Sequence, residues 1–499
     1  MWFLVRLNVL KSKYLNPKHL KKEFTLNIIL LVIINLLVKP LYIFGVEARF
    51  QNLIGIEQYG LYFEYFGFVL IFQFLNDPGI QNWYAQFLPK NKEKVSSELS
   101  DVISLKIVTS LIYLAFVLVL AWIMNYQQPY IIFLLAVNLI LSTFFLFLRI
   151  NISGLGYYRI DSFISSIDKL LMIAIIGYLA WWSPYQYEFT IKTFVYGQMA
   201  SYGIACLVAA IIVINKVPKW AFGFNISKFA PILKKSFPYL ITLMVMTFYN
   251  RIDGVLLGRM IDDFNYQAGV YASVYRFYDA SNMVSYLFAA LLLPMYASQY
   301  HDFDRLKELV LLGLKYIIVS STIIVMTLSF YGDIFMQLLL NDYTDSFLGI
   351  LRLMMLSFIF VSLGYVFGTL MVAADKIKSL NLVFIIGLVV NLSLNVVLIP
   401  MYGAVGAAVT AVITQLVVLI GQIYLVKKEI GIRVPRAQGG ILLLFFGLCG
   451  GIFFVIKNIK IIEWYYALGV SIFICVLLSF ILKIVDSGDL SFFNKKGSQ

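Results

Sequence analysis

The chain has 499 residues, of which 61% are hydrophobic and only 13% are charged. Soluble domains carry about 25% charged residues, so this composition excludes an ordinary soluble protein. The formal net charge of +13 could indicate a nucleic-acid ligand, but the positions of the basic residues along the chain give that charge a different meaning.

Hydrophobic runs follow one another from Phe24 to Ile484 and are joined by short polar loops. Each run has about 20 residues, which is the length that crosses a hydrocarbon core about 30 Å thick. We predict an all-α integral membrane protein with about 14 transmembrane helices. The predicted helices are 24–46, 58–80, 102–124, 130–150, 162–182, 191–214, 236–259, 268–298, 310–330, 347–373, 379–400, 403–426, 440–457 and 463–484.

Lysine and arginine are distributed unevenly between the two sides of these helices. If the N-terminus is cytoplasmic, about 27 of them fall on the cytoplasmic side and about five on the other, an asymmetry typical of membrane proteins. The five exceptions are Arg49, Lys192, Arg259, Lys457 and Lys460. We therefore predict that both termini are cytoplasmic. The basic balance is a topology signal and requires no nucleic-acid partner.

The predicted helices form two halves of similar size. Gly60-Leu61-Tyr62 opens the second helix, and Gly269-Val270-Tyr271 opens the eighth in the corresponding position. Parallel six-helix halves with a site between them are a known transporter architecture. The predicted parts are a basic cytoplasmic segment at 1–23, a six-helix bundle at 24–214, a basic cytoplasmic linker at 215–235, a second six-helix bundle at 236–426, two additional helices at 440–484 and a cytoplasmic tail at 485–499.

Sequence signatures of enzymes are missing. The chain has no Walker-type phosphate loop, no GxSxG, no HExxH and no CxxC motif. Its cysteines (Cys206, Cys449, Cys475) lie in hydrophobic runs, and its two histidines (His19, His301) lie in predicted cytoplasmic segments. This pattern indicates no disulfide framework and no metal site. We expect no catalytic residues and no cofactor, and no transport driven directly by ATP on this chain.

Ionisable residues inside the hydrophobic runs are the strongest functional signal, because charge at membrane depth is costly and usually faces a cavity or a partner. The deepest are Lys39, Glu64, Arg251, Asp253, Arg276 and Asp279. We interpret the three cations as a substrate-binding cavity and the three acids as charge partners or coupling-ion ligands. Pro40 favours a kink beside Lys39. Structural ion pairing stays open as an alternative, since Arg276 and Asp279 share a helix face. Lys106 and Lys315 are predicted to reach the nearby cytoplasmic surface.

Four segments resemble those of bacterial polysaccharide flippases. The most specific is Asn391-x-x-x-Asn395-Val-Val-Leu-Ile-Pro400-Met-Tyr-Gly403-Ala-Val-Gly406, which resembles the helix 11–12 hairpin of that family. The others are Gln58-Tyr-Gly-Leu-Tyr62, Asn76-Asp-Pro-Gly79 and Tyr249-Asn-Arg-Ile-Asp253. The flippases belong to the multidrug/oligosaccharidyl-lipid/polysaccharide exporter superfamily. The resemblance extends over the whole chain in topology, including two helices after the first twelve.

The resemblance implies a V-shaped pair of six-helix bundles, as in the multidrug exporters of the superfamily, that opens alternately to the two sides of the bacterial inner membrane. The implied cargo is an undecaprenyl-diphosphate-linked oligosaccharide, such as an O-antigen unit for lipopolysaccharide, or a capsule repeat unit. A diphosphate is strongly anionic, so a cavity with Lys and Arg suits it. Proton or sodium coupling and contacts with membrane lipids and other polysaccharide-assembly proteins would follow.

Three alternatives to this function stay open. A multidrug extruder would share the fold. Cationic drugs favour acidic or aromatic cavities, and the acidic residues Glu64, Asp253 and Asp279 would provide negative charge for one. A lipid II exporter would belong to the same family. A membrane-embedded glycan polymerase or transferase would need a catalytic carboxylate or histidine on a sizeable external loop, which the sequence does not show.

Overall fold

The computed structural model describes residues 37–91, 95–184, 188–217, 223–261, 264–433, 435–459 and 463–486. Within these ranges the chain has no strand, and eleven helices are long and apolar enough to cross a membrane. The prediction of an all-α, multi-pass membrane protein is confirmed. The basic segment 1–23, the start of the first predicted helix as far as residue 36, and the tail from residue 487 lie outside the described residues.

The helices follow the hydrophobic runs because, in hydrocarbon, every backbone polar group must be satisfied within the helix itself. The first half contains α1 (Ala48–Ile54), α2 (Ile56–Ile71), α3 (Gln73–Asn76), α4 (Ile80–Phe87), α5 (Val95–Ile123), α6 (Pro129–Gly154), α7 (Tyr158–Ile164), α8 (Ile167–Trp181) and α9 (Ile191–Lys216). The second half contains α10 (Phe229–Met260), α11 (Phe264–Gln299), α12 (Phe303–Leu339), α13 (Ser346–Ala373), α14 (Ile377–Leu425), α15 (Arg436–Lys457) and α16 (Trp464–Ile481). Wider π-helical turns occupy Leu41–Glu47 and Val426–Ile430, and 3₁₀ turns occupy Leu88–Lys90 and Ile226–Lys228.

Helix α14 is a hairpin of two antiparallel limbs. Gly403 has φ +55° and ψ −132°, a conformation that interrupts the helix. A Cβ atom built on Gly406 would lie 2.2 Å from the carbonyl oxygen of Leu398, and one on Gly387 would lie 2.5 Å from Val418. These pairs are placed symmetrically about Gly403, so the chain reverses there. The hairpin therefore supplies two membrane crossings, as the motif predicted.

The chain divides into two compact units, which are described separately. The first contains the described residues up to Leu53 together with Val69–Met244. Its apolar core joins α4, α5, α6 and α9. Lys106 on α5 is fully buried in this unit and forms an ion pair with Asp77, with Nζ and Oδ2 3.0 Å apart. The prediction that Lys106 reaches the surface is therefore wrong, because a buried carboxylate holds its ammonium group. Lys315, in the second unit, is partly exposed.

The second unit contains Ile54–Phe68 and the described residues from Val245 onwards. One apolar core joins α11, α12, α13 and α14, and another joins α12 to the two last helices. Helices α2 and α11 cross at Gly60 and Gly269, where a Cβ on Gly60 would lie 2.0 Å from the carbonyl oxygen of Asn265. Small residues allow such close backbone contact between membrane helices. The two glycines of the G-x-Y motifs thus pack against each other.

Candidate functional site

The carboxylate of Asp253 is the centre of a polar group inside the second unit. Asp253 lies on α10 and is only 5% exposed. The Tyr271 hydroxyl donates to its Oδ2 over 3.0 Å, and the side-chain amides of Asn391 and Asn395 donate to its Oδ1 over 3.2 and 2.6 Å. Within the described part of the chain no basic side chain forms an ion pair with Asp253. Neutral donors from α11 and α14 therefore hold this carboxylate.

A small cavity of about 20 Å³ adjoins the Asp253 carboxylate. Its lining consists of Tyr249, Asn250, Asp253, Tyr271, Tyr275, Tyr278, Met354, Asn391, Ala411 and Gln415. A cavity of this size holds about one water-sized particle. In addition, Oδ1 of Asn395 is buried and accepts no hydrogen bond from the described residues. One carboxylate and several neutral oxygens can take up a proton or one small monovalent cation.

A site for a multivalent metal is a different matter, because such metals are usually held by several carboxylate, thiolate or imidazole ligands. Among the described residues no cluster of three or more His, Cys, Asp or Glu side chains could hold a metal ion. The residues around Asp253 provide a single negative charge.

Two arginines of the second unit lie against aromatic rings. The Arg251 guanidinium is 5.2 Å from the centre of the Tyr275 ring and 5.9 Å from that of Phe66. The Arg276 guanidinium is 5.1 Å from the centre of the Tyr59 ring, and Arg276 is 4% exposed. Cation–π contacts are strongest where water is excluded, so these rings stabilise the two guanidinium charges between the packed helices.

Glu64 forms an ion pair that its place in the sequence does not reveal. Its Oε1 lies 2.9 Å from Nε of Arg259, whose side chain is 31% exposed. Gly258 makes room for the acid, since a Cβ there would lie 2.4 Å from Glu64 Cγ. Arg259 falls at the end of a hydrophobic run, which is why we assigned it to the flank of the membrane. Its position in the sequence, about two and a half turns beyond Asn250 on α10, does not indicate the pairing with Glu64.

The structure places the six predicted residues in two units. Lys39 belongs to the first unit and is directly followed by Pro40 and the π-helical turns Leu41–Glu47. The other five belong to the second unit. Arg251 and Asp253 are two residues apart on α10, and side chains at that spacing do not face each other. Asp279 lies on α11, one turn after Arg276, and is half-buried.

A further cation of the first unit, Lys169, also lies against aromatic rings. Its ammonium is 4.6 Å from the centre of the Tyr42 ring and 5.5 Å from that of Tyr202. Its Nζ lies 3.8 Å from Oδ2 of the neighbouring Asp168. Tyr42 belongs to the π-helical turns, a type of distortion found frequently at functional sites. Both units therefore hold cations on tyrosines.

Many helices that are long and apolar enough to cross a membrane, with charged side chains buried between them, define an all-helical integral membrane protein. The chain belongs to the polysaccharide biosynthesis protein family, whose model matches residues 24–300. The resemblance seen in the sequence motifs is thereby confirmed. A comparison with curated proteins found no significant match.

Solved structures share the fold at low sequence identity. The lipid II flippase MurJ in an inward closed conformation is 16% identical, with a TM-score of 0.70 over 91% of this chain and 98% of that chain. An outward-facing multidrug resistance MATE transporter of the MOP superfamily is 14% identical, with a TM-score of 0.59 over 80% and 94%. An inward-facing one is 12% identical, with a TM-score of 0.58 over 79% and 93%. These similarities establish the fold.

Proposed function

We propose that the protein translocates an undecaprenyl-diphosphate-linked oligosaccharide repeat unit, such as an O-antigen or capsule unit, across the bacterial inner membrane by alternating access. The observation that carries the proposal is the pair of arginines, Arg251 and Arg276, held on aromatic rings inside a member of the polysaccharide biosynthesis family. Charged side chains inside membrane helices are energetically costly, and they commonly mark a substrate pathway. An anionic diphosphate is a substrate that such cations would bind. Both termini are proposed to be cytoplasmic.

Each arginine would donate to the phosphate oxygens of the cargo. The planar guanidinium binds phosphate in a bidentate manner, so the two side chains can exchange contact with a ring for contact with the head group. Lys39 of the first unit is proposed as a further cation that contacts the cargo. The lipid tail stays in the bilayer while the sugar crosses. No covalent bond forms or breaks, so the protein acts as a transporter and not as an enzyme.

Asp253 is proposed as the site of the coupling ion, either a proton or sodium. Its carboxylate is held by neutral groups next to space for about one small particle, so a proton or monovalent cation would neutralise a charge that is otherwise buried. Glu64 and Asp279 are proposed as partners for cations of the unit. The Arg259–Glu64 pair is an example of such a partnership.

The test is replacement of Arg251 or Arg276 by Ala in cells that require the protein for surface polysaccharide. We expect surface polysaccharide to fall by at least tenfold at unchanged protein level, and the Lys variants to retain part of it because the charge is kept while bidentate binding is lost. Arg305→Ala is the matched control, because Arg305 is 59% exposed and pairs with Asp302. Wild-type export by both Ala variants would refute the proposal, and loss of the protein from the membrane would favour a structural role.

A lipid II exporter is the second candidate, and the TM-score of 0.70 to a lipid II flippase favours it. The multidrug alternative is supported by lower TM-scores, and cationic drugs suit arginine-containing sites poorly. Complementation of bacterial mutants distinguishes the three candidate functions: polysaccharide-unit flippase, lipid II exporter and multidrug extruder. Rescue of peptidoglycan synthesis in cells without their own lipid II exporter would select the second candidate. Increased drug tolerance with unchanged glycans would select the third.

A further inference from the structure

A second and larger cavity lies elsewhere in the second unit and has a different chemistry. Its volume is about 330 Å³, which is within the range of ligand pockets, about 300–1,000 Å³. It is lined by Val325, Met326, Ser329, Phe330, Arg352, Leu356 and Phe446. These residues come from α12, α13 and α15. The cavity is therefore apolar, apart from the Ser329 hydroxyl and one arginine.

Arg352 is only partly used by the protein. Its Nε donates to the backbone carbonyl of Ser329 over 3.1 Å. A guanidinium has five N–H donors in a planar fork, so four remain. In the described part of the chain no carboxylate lies within 4.0 Å of it. Arg352 is exposed and therefore presents its charge and its remaining donors at the edge of the apolar cavity.

The cavity lies on the opposite side of α13 from the Asp253 group. Met354 lines the small cavity next to Asp253, whereas Arg352 and Leu356 line the larger one. Residues two apart on a helix do not face each other, so the two cavities share no wall on α13. Leu356 is 37% exposed, and Leu443 on α15, close in sequence to the cavity residue Phe446, is 75% exposed. Apolar side chains exposed on membrane helices contact lipid.

Arg352 lies near one end of a helix that is long and apolar enough to cross a membrane, and lipid head groups lie at the ends of such helices. Arg352 is six residues from the start of α13, which is about 9 Å along the helix axis at 1.5 Å per residue. Arginine side chains near helix ends reach towards the interface. The phosphate of a bilayer lipid in the same leaflet can therefore reach the guanidinium while an acyl chain enters the apolar cavity.

We propose that this cavity binds one anionic phospholipid of the bilayer, with its phosphate on Arg352 and an acyl chain against Met326, Leu356 and Phe446. The proposal goes beyond the translocation function and does not depend on it. It also gives α15 a role, because Phe446 of α15 closes one side of the cavity. The occupant is a resident lipid of one leaflet and is distinct from the translocated cargo.

Native mass spectrometry of the full-length protein in detergent tests this with dioleoyl phosphatidylglycerol and dioleoyl phosphatidylcholine as probes. We expect one retained phosphatidylglycerol with about tenfold tighter binding than phosphatidylcholine, as for a charge-assisted hydrogen-bonded contact. Arg352→Gln should remove that preference and Arg352→Lys should keep most of it. Leu356→Trp should fill the cavity and remove the retained lipid of either kind. Arg305→Gln, which changes an exposed arginine on α12, is the matched control.

Three outcomes would overturn the proposal. One is an unchanged head-group preference in Arg352→Gln, and another is full lipid retention in Leu356→Trp. The third is displacement of phosphatidylglycerol by undecaprenyl diphosphate at equal concentration, which would make the cavity a cargo site. Size-exclusion profiles and thermal unfolding would show that each variant is folded. If Arg352→Gln does not fold, the Lys and Trp variants decide the matter.

Discussion

Asp77 in the first unit and Asp253 in the second are equally buried, at 5% exposure each, but their surroundings differ. Asp77 faces the ammonium of Lys106, which is itself fully buried. Asp253 faces a hydroxyl and two amides, all neutral. A buried ion pair fixes both charges, because either charge alone is strongly unfavourable. A carboxylate held by neutral donors can gain a proton or a cation without leaving another charge unpaired. The first arrangement suits a rigid element and the second suits a coupling site.

Glu64 lies between these two cases. It is buried, but its partner Arg259 has a side chain that is 31% exposed. Water or lipid head groups can therefore replace part of the interaction if the arginine is removed. Asp77 is paired with a buried cation, Glu64 with a partly exposed cation, and Asp253 with neutral groups. The loss in the free energy of unfolding on removing each interaction should decrease in that order.

The largest effect is expected for Lys106→Met in the first unit. This change leaves the Asp77 carboxylate buried without its cation, and breaking a buried pair typically costs about 3–5 kcal/mol. The aromatic rings of Phe144 and Phe147, each 5.6 Å from the Lys106 ammonium, offer no replacement charge. Thermal unfolding of the purified protein in detergent would measure the loss.

The matched control is Lys106→Met combined with Asp77→Asn. Asparagine keeps a side-chain oxygen that can accept the backbone N–H of Gln81, as Oδ1 of Asp77 does over 3.1 Å. The double variant should recover most of the lost stability. If Lys106→Met alone were as stable as the wild type, the ion pair would not hold the first unit together as described.

A smaller effect is expected for Arg259→Gln. It removes the ion pair between Arg259 and Glu64, and we expect a loss of about 2 kcal/mol in the free energy of unfolding, less than for a fully buried pair. Arg305→Gln serves as control, because exposed ion pairs contribute about 0–1 kcal/mol. Equal losses in the two variants would show that the Glu64 pair behaves as a surface pair. A loss equal to that of Lys106→Met would show that the partly exposed Arg259–Glu64 pair is as important for stability as the buried Lys106–Asp77 pair.

The smallest effect on stability is expected for Asp253→Asn. Asparagine has nearly the shape of aspartate, and the Tyr271 hydroxyl can accept as well as donate, so we expect a change below about 1 kcal/mol. The informative measurement is the response of the unfolding temperature to sodium, with choline as control, and to pH. The wild type should respond to sodium or to pH, and Asp253→Asn should show a smaller response to the same variable. An undiminished response in the variant would place the coupling ion elsewhere.

Hydrophobic run length predicted the membrane helices well, because it depends only on the thickness of the bilayer. The break at Gly403 was also predictable, since Pro400 and Gly403 mark a helix end and a position with positive φ. The rotation of each helix about its axis is a different quantity. It decides which side chains meet, and it depends on packing between segments far apart in the sequence.

The charged residues illustrate this difference. Asp253 was identified from its depth alone, but the amides that hold it come from residues 138 and 142 positions further along the chain. Lys106 was misjudged, because its partner Asp77 lies on a separate turn after α3. Arg259 was overlooked because its place at the end of a run suggested contact with water. Depth could be read from the sequence, whereas partners could not.

The reversal at Gly403 has a consequence for how the protein is made. Leu398 and Gly406 are in contact across it and are only eight residues apart in the sequence. Because the closed loop is short, forming this hairpin requires little loss of chain entropy. The two limbs can therefore enter the bilayer together during synthesis as one helical hairpin. Asn391 and Asn395 on one limb and Gln415 on the other would then be in place as soon as the hairpin forms. The amide half of the Asp253 group is thus a local product of the chain, and the Asp253 carboxylate and the Tyr271 hydroxyl are brought to it from α10 and α11.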